Sequence, residues 1–119
     1  LTLAGCQYLM GLNPAVPLRP AELGASLDEL RRLTEAEGRD PAALTISYKA
    51  PVYDTTQALG GAGERRPFTG GLAQTADDVA AFARVGVSEI IIDFRSDNLP
   101  ESLERMERFG PVIGATASV

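Results

Sequence analysis

Histidine is absent from the 119 residues, so the commonest general base near neutral pH and the commonest metal ligand are both missing. A single cysteine, Cys6, excludes an internal disulfide and a cysteine zinc site. No uncharged apolar run approaches the roughly 20 residues that a membrane span needs, so no membrane partner is expected. Positive charge is scarce, with 11 basic against 16 acidic residues and a net charge of -5. The short pairs Arg31-Arg32 and Arg65-Arg66 do not build the basic face that a polyanion requires, and no nucleic acid partner is expected. Serine and tyrosine nucleophiles lack a histidine partner, and no nucleophile elbow is present. The "GGAG" stretch lacks both the Walker Lys-Ser/Thr and the dinucleotide fingerprint, so it makes a weak phosphate cradle. Any chemistry must rest on carboxylates, Lys, Arg, Tyr, Ser, or a cofactor.

What is present has the composition of a soluble globular domain, 45% hydrophobic and 23% charged, and its length suits one domain. Residues 1 to 20 show no period and carry Pro14, Pro17 and Pro20, which reads as an irregular connector. Within it "LTLAGC" resembles a bacterial lipoprotein cleavage box ending at Cys6, but neither the positive n-region nor the apolar stretch of a signal peptide precedes it. Cys6 otherwise reads as inert, with no neighbouring base to activate it.

From Pro20 the spacing of Leu23, Leu27, Leu30 and Thr34 predicts an amphipathic helix, closed by Gly38 as a left-handed cap. "LTISYKAPVYD", Leu44 to Asp54, alternates like a strand until Pro51. The segment from Asp54 to Gln74 holds five glycines and reads as a long loop. Thr75-x-x-Asp78 resembles a capping box and predicts a second helix opening at Thr75, with Val79, Phe82 and Ala83 inward and Gly86 at its end. A second strand follows over about Val87 to Phe94. The third helix carries the stripe Leu99, Leu103, Met106 and Phe109, and Gly110-Pro111 is expected to stop it.

Strands alternating with amphipathic helices predict an α/β fold with parallel strands. Two such strands leave apolar surface uncovered, which points to βα units of a larger sheet or barrel. In a barrel, Leu44, Ile46, Tyr48, Ile90, Ile92 and Phe94 would face helices, while Thr45, Ser47, Lys49, Glu89, Ile91, Asp93 and Arg95 would face inward. Lys49, Asp93 and Arg95 then gather at the C-terminal ends of the strands, where barrel active sites are built, with Arg65 and Arg66 in the loop above as candidate anion or cofactor-phosphate contacts. The plainer alternatives are a local Asp93–Arg95 ion pair, a Lys49 that snorkels to water, and a solvated arginine pair.

Three stretches in order, "LRPAELGASLDELRRLTEAEGRDPAALTIS", "RRPFTGG…TADDVAAFARVGVSEIIIDF" and "LPESLERMERFGPVI", resemble the luciferase-like monooxygenase superfamily, across roughly Pro14 to Ile113. That resemblance implies the last two units of a TIM-like (β/α)8 barrel, in an oxidoreductase using reduced FMN or the deazaflavin coenzyme F-420. It leans toward the deazaflavin branch. The family's cofactor-binding residues lie mainly on earlier strands, match nothing here, and are not carried over. The resemblance implies a small-molecule substrate held by Lys49, Asp93 and Arg95, and a cytoplasmic protein. Leu1 to Leu12 departs from the family's pattern. A barrel cut to two units would have open edges and an uncovered face, so the isolated chain is expected to be inactive and to form a homo-oligomer. A non-catalytic α/β interaction module, or a degenerate remnant, is the alternative reading.

Overall fold

The computed structural model describes residues 19–50, 53–54, 58, 60 and 64–116. The readings made on Leu1 to Leu18, including the connector and Cys6, lie outside the described residues, as do Pro51 and most of the glycine-rich loop. The elements run α1 (Pro20–Ala36), a 3-10 turn (Pro41–Ala43), β1 (Ser47–Lys49), α2 (Leu72–Arg84), β2 (Glu89–Ile91) and α3 (Leu99–Thr116). The two strands pair in parallel, with Ser47 opposite Glu89, Tyr48 opposite Ile90 and Lys49 opposite Ile91. The described residues thus form a small α/β unit of three helices and a two-stranded parallel sheet.

α1 forms where the apolar spacing requires it. Pro20 sits in its first turn, the Glu22 carboxylate accepts from the Arg19 amide at 2.9 Å, and Leu23 and Leu27 are fully buried. Leu33 lies outside that stripe and stays half exposed. Gly38 adopts φ +73°, a region costly for residues with a Cβ, and its amide donates to the Glu35 carbonyl to end the helix.

α2 differs from expectation at its start. It begins at Leu72, where the Gln74 side chain accepts from the Gly71 amide at 2.8 Å. Thr75 is therefore one turn inside. It is fully buried, and its hydroxyl donates back to the Gly71 carbonyl. A Ser/Thr-x-x-acid pattern marks a helix start only if the threonine stays outside the turn, and burial here pulled Thr75 in. Ala83, expected inward, is exposed, whereas Phe82 is fully buried and Val79 partly so. Gly86 ends the segment at φ +111°. A Cβ there would lie 2.4 Å from Arg31 Nη2, the atom that donates to the Val85 carbonyl.

α3 also departs from expectation, running through Gly110-Pro111 to Thr116. A proline inside a helix costs about 3 kcal/mol. Val112 immediately follows it and is only 2% exposed, and burying a side chain of that size returns about 1.5–3 kcal/mol. With Pro111 itself on the exposed side, the continuation is nearly neutral and the packed turn is kept. The stripe of α3 is divided. Phe109 packs against Tyr53 and Phe94, whereas Leu99, Leu103, Met106 and Ile113 are 49–69% exposed.

The core lies on one side of the sheet. Ile46, Tyr48, Ile90, Ile92 and Phe94 pack with Leu23, Leu27, Phe68 and Phe82, as the alternation predicts. Tyr48 stacks on Phe82 at 4.2 Å between ring centroids, and Phe68 stacks on Phe82 at 5.6 Å. Burial, reinforced by the Asp78 charge, pushes the Tyr48 phenol up to about 12, so it is neutral at ordinary pH. Both strands are shorter than expected. Past Ile91 the second segment has no strand partner among the described residues, and its ladder ends there.

Candidate functional site

The face of the sheet away from the helices carries polar side chains. Ser47 Oγ donates to Glu89 Oε2 across the paired strands at 2.5 Å, which takes the Ser47 hydroxyl out of play as a free group. One step further along lie Lys49 and Ile91, where the ladder ends, and Asp93 and Arg95 follow in the segment that leaves β2. Lys49 is exposed, and no ion pair engages it among the described residues. Its charge nonetheless reaches Asp93. The three candidate substrate contacts are therefore brought to one edge, at the C-terminal end of both strands.

Asp93 and Arg95 form the local pair that their spacing allows. Arg95 Nε donates to both carboxylate oxygens, at 2.9 and 2.8 Å, Nη2 donates at 2.6 Å, and the Arg95 amide donates at 3.0 Å. The guanidinium, with the backbone amide and the charges of Arg95 and Lys49 behind it, holds the Asp93 carboxyl down at about 2. At neutral pH such a group stays ionised and positions its partner; it neither gives nor takes a proton. Arg105 extends the arrangement, donating from Nη1 to the Arg95 carbonyl at 3.0 Å and from Nη2 to Glu101 at 3.0 Å. The Arg95 side chain remains 87% exposed beside its ion pair with Asp93.

The sign of the pH dependence follows from this depression. An aspartate normally titrates near 3.9. Because the folded value is lower, the pair's stabilisation is present above the unfolded value and is lost as pH falls through about 2. The carboxyl carbon of Asp93, followed by NMR, is expected to titrate at about 2 and to rise toward the ordinary carboxylate range in Arg95→Gln, which keeps the backbone amide and Lys49 but removes the guanidinium. An ordinary Asp93 midpoint in the unmodified chain would show that the pair does not form in solution.

Arg65 and Arg66 part company. The Arg65 guanidinium grips Asp78, with Nη1 to Oδ2 at 2.8 Å and Nη2 to Oδ1 at 2.7 Å, and Nη1 also donates to the Thr69 carbonyl at 2.6 Å. The Phe68 amide donates to the same carboxylate at 2.7 Å. Arg65 thus already has a buried anionic partner. Among the described residues no hydrogen bond or ion pair occupies the Arg66 guanidinium, so of the two it is the one left for an anion.

This latch was not read from the sequence. Asp78 sat in a pattern that pointed to capping, and only the fold brings residues thirteen apart into contact across the loop. The Ser47–Glu89 pair needs the strand register, and Arg105 needs the packing of α3. No local pattern announces either one.

Two cavities lie elsewhere. One, of about 470 Å³, opens at the N-terminal end of the strands beside Leu27, Arg31, Leu44 and Gly86. The other, of about 290 Å³, is an apolar cleft between α2 and α3 on the helix side of the sheet. Neither meets the Lys49 edge. Arg65, held by Asp78, is not free for a cofactor phosphate. Among the described residues there is also no cluster of three side chains fit to hold a metal ion, and no helix is long and apolar enough to cross a membrane. No family model, no curated protein and no solved structure matches the chain.

Proposed function

We propose that this chain forms the last two βα units of a TIM-like barrel in a luciferase-like oxidoreductase. Its share of the work is the substrate end of the pocket. Reduced FMN or the deazaflavin coenzyme F-420 would supply the hydride or oxygen chemistry against walls contributed by other strands. Lys49 and the open edge of Arg95 would hold an anionic or carbonyl-bearing small molecule, and Asp93 would set the orientation of Arg95. One observation carries this reading. The strands are parallel, and Lys49, Asp93 and Arg95 follow one another at or just past their C-terminal ends, with the Lys49 charge acting on Asp93. The sheet supports a larger assembly, since among the described residues it has two strands, each with one edge that no described strand pairs. Further strands, from the same protein or from other copies of the chain, would cover them.

The test is kinetic. In a protein carrying a complete barrel, Arg95→Ala is expected to raise KM about tenfold or more, as loss of a charge-assisted contact does, with a smaller change in kcat. Lys49→Ala should act in the same direction. Unchanged KM and kcat in both variants would remove the substrate role from this edge and favour a non-catalytic module.

A further inference from the structure

Past Ile91 the second strand has lost its ladder, so the backbone of Arg95 needs other partners for its amide and its carbonyl. Side chains supply them. The amide donates to Asp93 Oδ1 at 3.0 Å, and the carbonyl accepts from Arg105 Nη1 at 3.0 Å. The same peptide unit is held at its other end as well, where the Ser96 amide donates to Ser102 Oγ at 3.0 Å. Ser102 and Arg105 therefore grip one peptide, Arg95–Ser96, from opposite sides. Both stand on α3, three residues apart, on the inner side that continues into Phe109 and Val112. An inner helix side is ordinarily apolar, and polar groups placed there cost free energy unless they are bonded. Here each is bonded to this peptide.

Each gripping group is itself held. Arg105 Nη2 donates to Glu101 Oε1 at 3.0 Å, and Ser102 Oγ donates to the Asn98 carbonyl at 3.2 Å, which leaves its lone pairs for the Ser96 amide. Asn98 Oδ1 in turn accepts from the Glu101 amide at 2.9 Å and caps α3. We propose that Ser102 and Arg105 are positioning residues for Arg95, fixing its backbone so that the guanidinium stays where a substrate would meet it. This role rests on the substrate function proposed for that edge. The physical reason is rotational. The plane of the Arg95–Ser96 peptide sets the Arg95 ψ angle, and the amide bond to Asp93 limits φ, so the direction of the Cα–Cβ bond is fixed from both sides. An 87% exposed side chain has little packing to hold it, and on a loose backbone it would spread over many rotamers.

NMR of the isotope-labelled full chain tests the grip without a substrate. In Arg105→Met, which keeps an apolar stem and removes the donors, the Ser96 amide is expected to exchange about fivefold to tenfold faster, although its own acceptor is untouched. The Arg95 Nε–Hε signal should move toward that of free arginine, with cooperative unfolding retained. Ser102→Ala should move the Arg95 signal in the same direction, and it carries the test if Arg105→Met loses its cooperative unfolding. Arg105→Lys keeps a donor for the Arg95 carbonyl and should reverse most of the shift. An unmoved Arg95 signal in both Arg105→Met and Ser102→Ala overturns the proposal. In a protein carrying a complete barrel, Arg105→Met should raise KM about two- to fivefold, and should add nothing when combined with Arg95→Ala. KM raised by Arg95→Ala but not by Arg105→Met overturns the positioning role and leaves the substrate role standing. KM unchanged in both overturns the substrate role and, with it, this one.

Discussion

Phe82→Ala is expected to lower the unfolding free energy by about 3–5 kcal/mol, read as a shift of the urea midpoint at unchanged slope. The side chain is fully buried, and its ring stacks on both Tyr48 and Phe68, with interplanar angles of 24° and 17°, in a cluster in which those two rings also stack on each other at 6.2 Å. Removing it takes away the surface on which both neighbours stack, and both sit on elements too rigidly placed to close the void: one on β1, the other on the turn before α2. A domain of this size holds roughly 5–10 kcal/mol in total, so the variant should be largely or partly unfolded at room temperature. Leu33→Ala is the control. Leu33 is 48% exposed on the outer side of α1, and its loss should cost no more than about 0.5 kcal/mol. Equal effects at the two sites would mean that the aromatic stack is not the centre of the core.

Asp78→Ala carries the second large effect, about 3 kcal/mol. The carboxylate does three things at once: it accepts two bonds from Arg65 and one from the Phe68 amide. Phe68 stands at φ 64°, a conformation that costs a bulky residue about 1–3 kcal/mol and persists only where its surroundings impose it. Its buried ring pulls in one direction and its captured amide in the other, which holds the turn from Arg65 to Gly71 against the first turns of α2. Without Asp78 the guanidinium is left three-quarters buried with only carbonyl partners, and the Phe68 amide loses its acceptor. Asp78→Asn keeps an acceptor for that amide and should cost less, about 1–2 kcal/mol. In a double-mutant cycle, Arg65→Ala should remove much of the penalty of Asp78→Ala, because the two residues act as one unit. A cost below about 0.5 kcal/mol for Asp78→Ala would show that the latch does not hold the turn.

This turn also bears on the proposed function. It leads out of the C-terminal end of β1 and ends at the start of α2, on the rim where Lys49 and Arg95 emerge. A latch that fixes the loop is compatible with a substrate edge that must keep its shape. It also explains why Arg65 serves the fold, whereas Arg66, next in the chain, does not.

The sequence by itself determined the three helices, the two strands and the face each strand buries. These follow from short-range periodicity: Leu23 and Leu27 four apart on α1, and Ile46 and Tyr48, or Ile90 and Ile92, two apart on the strands. It also set the expectation that Lys49, Asp93 and Arg95 share a face, but the ladder ends at Ile91, so for these three the structure shows the Asp93–Arg95 pair and the Lys49 charge acting on Asp93. Tertiary structure decided what depends on comparing remote energies. Thr75 and Asp78 read as a helix cap, yet burial of Thr75 and the charge of Arg65 outweighed the local pattern and moved the helix start to Leu72. Gly110-Pro111 read as a stop, yet the burial of Val112 offset the proline. Local propensities are worth about 1–3 kcal/mol each, the same size as a single buried side chain or ion pair, so packing can reverse any one of them. Alternation along a strand is repeated at every residue, and a single contact does not overturn it.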